Sequence, residues 1–105
     1  MNENHFQAKL IRKIKKLLPS CVVLKNDARY IQGIPDLTIL YEDKYFVLEC
    51  KRDAEAYRLS LISNPNQGYY VNLINNMGGY ARHIYPENEK EILDEIVHIS
   101  RPSGT

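Results

Sequence analysis

Between Gly33 and Arg52 the chain carries two short apolar runs, Leu37 to Tyr41 and Tyr45 to Cys50, on either side of Glu42-Asp43-Lys44. Both runs are too short for helices and rich in β-branched and aromatic residues, so they are expected to form strands joined by a charged turn. Their near-continuous apolar character predicts strands covered on both faces, as in the middle of an α/β sheet. Yet Asp36 stands at the start of the first run, and Glu49 and Lys51 stand at the end of the second.

In an antiparallel hairpin the start of one strand lies beside the end of its partner. Asp36 and Glu49 are therefore expected to meet at the open end, and Glu49 and Lys51, two residues apart, to leave the same face. Two carboxylates and an ammonium would then converge at the margin of an apolar core. Carboxylates in this position repel one another, and burial pushes one of them towards its neutral form. A hard divalent cation such as Mg²⁺ resolves the conflict, since it takes oxygen ligands and commonly uses one or two carboxylates. The alternative is a hairpin ending in ordinary surface charges, with Asp36 capping a turn and Glu49 paired to Lys51. The facing of all three groups in one hairpin favours the site.

Pro35-Asp36, twelve intervening residues and Glu49-Cys50-Lys51 resemble the signature of the PD-(D/E)xK nuclease superfamily. Gly33-Ile34-Pro35-Asp36 and a downstream Gln67 look most like its VRR-Nuc branch, and the resemblance spans roughly residues 3–85. It implies a restriction-endonuclease-like α/β core of order αβββαβ with a C-terminal helix, its central mixed sheet flanked by helices. It also implies a metal-dependent DNA endonuclease using one or two Mg or Mn ions. Asp36, Glu49 and the main-chain carbonyl of Cys50 would hold the metal, Lys51 would orient water or stabilise developing charge, and Gln67 would assist by hydrogen bonding. Stand-alone domains of this branch imply a homodimer and occur in phages and mobile elements.

The remaining chain is read around that hairpin. Residues 3–18 place Phe6, Leu10, Ile11, Ile14, Leu17 and Leu18 at helical spacing, with Asn2 or Asn4 as cap and Pro19 as stop. Lys9, Arg12, Lys13, Lys15 and Lys16 cover the other side, as either a solvated basic face or a set of phosphate contacts. Glu3 falls on the buried edge of that helix. It is either a further metal ligand, as the resemblance implies, or a first-turn acid favoured by the helix dipole. Cys21 to Lys25 reads as a strand completing a three-stranded meander, followed by a polar loop from Asn26 to Gln32. Lys25 and Arg29 would flank the carboxylates, either as phosphate contacts or merely screening Asp27 and Asp36, and Tyr30 is expected to pack rather than to stack on a base. Arg52 to Ser63 shows no clear periodicity and is expected to be a loop. A helix is expected to start at Ser63-Asn64-Pro65, to run from Asn66 to Met77 and to end at Gly78-Gly79. Tyr80 to Tyr85 reads as a fourth strand and Pro86 to Ile99 as an acidic amphipathic helix.

At 105 residues the chain is sized for one domain, here residues 1–100 with a tail at 101–105. Two isolated cysteines give no disulfide framework or zinc site, which suits a reducing cytoplasm, that of a host cell if a phage carries the gene. No apolar stretch is long enough to span a membrane, so no membrane partner is expected. The net charge of +1 is uninformative, but residues 1–35 hold seven basic against two acidic residues. That asymmetry suits an anionic partner such as DNA at one end. Without a recognition helix or zinc module, selection by DNA shape (a branch, flap or nick) is expected over base readout. The alternative is a non-catalytic DNA-binding module on the same fold.

Overall fold

The computed structural model describes residues 2–102, apart from the side chain of Gln67. Helix α1 (Glu3–Leu17) begins where the Asn2 side chain accepts from the His5 N–H at 2.7 Å, and ends one residue before Leu18 turns the chain. Three strands follow: β1 (Val22–Lys25), β2 (Leu37–Tyr41) and β3 (Lys44–Cys50). They form an antiparallel meander in which Val22 faces Leu40 and Leu37 faces Leu48. The β2–β3 turn carries Glu42 at φ 55°, a left-handed conformation at a non-glycine residue.

Residues 52–63 do not form the expected loop. Ala54–Ser63 is a helix, α2, with Asp53 capping the Ala56 N–H at 2.7 Å and Glu87 accepting from the Ala54 N–H at 3.2 Å. It escapes periodicity analysis because it buries no residue: Leu59, Leu61 and Ile62 are all exposed. Local propensity and capping make this helix, not an apolar stripe. The next helix also starts later than expected. Pro65–Gly68 forms a single 3-10 turn, and the α-helix, α3, covers Tyr69–Asn76. Strand β4 (Tyr80–Ile84) then pairs parallel to β3, and α4 (Glu89–Ser100) closes the chain. The element order is thus αβββααβα, one helix more than expected, with the 3-10 turn ahead of α3. Of the tail at 101–105, residues 103–105 lie outside the described residues.

The four strands lie in the order β1-β2-β3-β4, a mixed sheet in an α/β fold. Alternation along β3 sends Phe46, Leu48 and Cys50 to one face, where they join Phe6, Leu10 and Ile14 of α1 and Ile92, Leu93 and Ile96 of α4. Val47 points to the other face and meets Val71 and Ile74 of α3, with Ala81 of β4. β3 is buried on both faces from Phe46 through Cys50, whereas β2 leaves Leu40 exposed. The face carrying Val47 also carries Glu49 and Lys51, so the acidic end of the hairpin emerges beyond α3.

Candidate metal and phosphate site

The register places Asp36 one step beyond the Leu37–Leu48 pair and therefore opposite Glu49. Asp36 is held by two main-chain N–H groups. Its carbonyl accepts from the Asn26 N–H at 2.8 Å, and its Oδ2 accepts from the Cys50 N–H at 2.8 Å. The Asn26 amide also donates to the Pro35 carbonyl at 2.8 Å and to Thr38 Oγ1 at 2.9 Å, fixing the entry into β2. Asn26 is thus a positioning residue that its sequence context, a polar loop after a strand, did not single out. Gly33, at φ 83°, makes the turn that brings Pro35 and Asp36 back to the sheet; a side chain there would be strained.

Glu49 is 6 % exposed and Lys51 7 %. Burial is the largest influence on Glu49, followed by a hydrogen bond to Asp36 and that carboxylate's charge; Lys51 opposes them only partly. Its carboxyl is pushed up to about 9. Burial beside the Asp36 carboxylate thus favours the neutral form of Glu49. Lys51 is anchored through its main chain, whose N–H donates to the Ile84 carbonyl at 2.9 Å. Cys50, between them, turns its thiol to the opposite face beside Gln7, and burial raises the thiol's pKa, making it a poor nucleophile.

A cavity of about 180 Å³ opens over the pair, lined by Asp36 and Glu49 with Gln32, Gly33, Asn64 and Asn66 among its walls. Glu3 comes near from the first turn of α1. Partial desolvation and the Asp36 charge raise its carboxyl, while Lys51 and Arg52 draw it down. Among the described residues no three acidic, histidine or cysteine side chains cluster as a ligand set, and Glu3 stands as a charged neighbour of the pair. The residues present suit a hard cation held by two carboxylates, with its other positions left to main chain, water and substrate oxygens.

The structure gathers Asp36, Glu49, Cys50 and Lys51 as expected. Gln67 lies with its main chain in the 3-10 turn, but its side chain lies outside the described residues. Lys25 is exposed at the end of β1, facing Leu37 in register. Arg29 bonds Asp27 through its guanidinium at 2.9 Å and 3.1 Å and holds that carboxyl below its ordinary range, while staying largely solvent-facing. Tyr30, expected to pack, is instead 87 % exposed on the same loop. On α1, Arg12 and Lys16 are exposed and Lys9 is half-buried, whereas Lys13 reaches across to an ion pair with Glu89 of α4. Gln32, Asn64 and Asn66 were not expected at the cavity, because isolated amides carry no pattern that marks a site.

Among the described residues no helix is long and apolar enough to cross a membrane. Compared with family models, curated proteins and solved structures, the chain finds no match in any of the three.

Proposed function

We propose that the protein is a metal-dependent DNA nuclease with a restriction-endonuclease-like core, as the resemblance of its Pro35-Asp36…Glu49-Cys50-Lys51 motif implies. The observation that carries the reading is the apposition of half-buried Asp36 and buried Glu49, beside a buried lysine and open to a cavity. A fold that only needed stability would gain little from two apposed carboxyl groups on an apolar margin. Asp36 and Glu49 would hold Mg²⁺ or Mn²⁺, with the Cys50 carbonyl adjoining. The bound ion supplies charge neutralisation and a more acidic water.

The chain's own residues do the rest. The Asn26 and Cys50 hydrogen bonds keep Asp36 aimed before any substrate arrives, so no reorganisation is needed during reaction. Lys51, leaving the same strand face as Glu49, stabilises charge on the phosphate oxygens and orients the attacking water. Exposed Lys25 and Arg29 offer sequence-independent phosphate contacts near the opening. Glu3 works against phosphate binding unless a cation is present, because its charge adds to that of Asp36. The two thiols are unpaired with each other, in keeping with work in a reducing cell interior. A second copy is proposed to join through the β1 side of the sheet, giving one site per strand.

The test is cleavage of linear, nicked, flapped and four-way DNA with Mg²⁺ or Mn²⁺. Lys51→Ala should reduce the rate by about a hundred- to a thousandfold, the usual loss for one preorganised electrostatic group. The circular dichroism spectrum should stay that of the parent. Equal cleavage by parent and Lys51→Ala would remove Lys51 from the mechanism. Metal-independent binding without cleavage by the parent would instead make the protein a DNA-binding module.

A further inference from the structure

Beside the Asp36–Glu49 cavity lies a second one of about 290 Å³, lined by Gln32, Asn66, Tyr69 and Tyr70. Gln32 and Asn66 line both, so the two openings are neighbours with shared walls. Tyr69 is 58 % exposed at the first turn of α3, and its ring meets that of Tyr70 edge to face, with centroids 5.0 Å apart at 85°. Tyr70, half-buried against the Gly33 turn, therefore braces a ring that itself contributes little to the core. An aromatic side chain held in this way offers a flat face at small entropic cost, since only two torsions are fixed.

We infer that Tyr69 and Tyr70 form a stacking ledge for one nucleobase of the strand whose phosphate enters the Asp36–Glu49 cavity. The inference rests on the nuclease reading of that cavity and adds the substrate class: a strand unpaired beside the cut, as at a flap, frayed end or single-stranded region. A base that stays in a duplex is stacked on its neighbours and cannot also lie on a tyrosine. Gln32 and Asn66 suit this role, because an amide both donates and accepts and can meet the edge of any base. Stacking on aromatic rings with little base preference is how proteins commonly hold single strands.

The experiment uses Glu49→Gln protein, which should bind without cutting, and a short fluorescent single-stranded oligothymidine read by anisotropy. Adding Tyr69→Ala should weaken binding about tenfold to a hundredfold, the range for one lost base–aromatic stack. Tyr69→Phe, which keeps the ring, should bind like the parent. An oligonucleotide of abasic residues should bind the parent as weakly as oligothymidine binds Tyr69→Ala. Equal oligothymidine affinity with and without Tyr69→Ala would overturn the ledge while leaving metal-dependent cleavage untouched. A change in sedimentation caused by Tyr69→Ala, with oligonucleotide binding unaltered, would also overturn it and mark a protein contact instead. Loss of all nucleic-acid binding in the parent would overturn the nuclease reading and the ledge together.

Discussion

Glu49 holds a proton that it would lose in water, and the consequence runs through the pH dependence of the fold. Its carboxyl is raised from an ordinary 4.5 to about 9, first by burial and then by Asp36. Between those two values the folded chain binds a proton that the unfolded chain has released, so stability falls as pH rises. Each pH unit in that window costs at most about 1.4 kcal/mol. In chelator, Glu49→Gln keeps a neutral side chain of the same shape at every pH. Its urea midpoint should therefore climb relative to the parent's from pH 5 to pH 9, and the gap should close when Mn²⁺ is added to the parent. A constant gap would mean that Glu49 is already ionised in the apo protein. The Asp36–Glu49 meeting was legible because a hairpin's register is local: two runs and a short turn fix who faces whom. The Lys13–Glu89 ion pair was not, since it joins residues 76 apart in the sequence and depends on how α1 and α4 settle on one face.

At the scale of elements, the two edges of the sheet are treated differently. The outer side of β4 is closed by side-chain amides. Asn75 accepts from the Ala81 N–H at 2.9 Å and donates to its carbonyl at 2.8 Å, while Asn88 accepts from the Tyr85 N–H at 2.8 Å and donates to the His83 carbonyl at 3.0 Å. Each amide copies the bonds of a neighbouring strand and so blocks edge pairing. Asn75→Ala would leave the N–H of buried Ala81 without its partner and remove a bond from the Arg82 guanidinium at 3.0 Å, while the Ala81 carbonyl keeps its bond from that guanidinium at 2.9 Å. The expected loss is about 1–3 kcal/mol, seen as a lower urea midpoint at unchanged slope, because an unsatisfied buried polar group costs roughly that much. A change below about 0.5 kcal/mol, the size of an ordinary surface substitution, would mean water replaces the amide freely. Helix α2 and these amides escaped the sequence for a common reason. Both act by main-chain hydrogen bonding, which leaves no apolar period, whereas α1 and the hairpin announce themselves by the residues they bury.

For the molecule as a whole, the opposite edge sets the argument for a second copy. Helix α3 covers Val47 and Ala81 on the β3–β4 half of its face and leaves the β1–β2 half bare. There Val22, Leu24, Leu40 and Tyr45 stand between 40 % and 50 % exposed on one face, with Val22 opposite Leu40 and Leu40 opposite Tyr45. A contiguous apolar face of this kind marks an interaction surface. It adjoins the edge strand β1, which pairs on one side only. A two-fold axis over this face would pack the sheets of two copies face to face, a self-complementary contact that buries the apolar residues of both. Such a dimer should appear in sedimentation of the parent protein. Leu24→Lys, exposed in the single chain, should dissociate it without lowering the stability of each copy, since a charge there is desolvated only in the pair. Dissociation should also convert any double-strand cutting into nicking, because each copy carries one Asp36–Glu49 site. A parent that sediments as a monomer at every concentration would exclude this surface as a self-interface. A dimer indifferent to Leu24→Lys would move the contact elsewhere on the molecule.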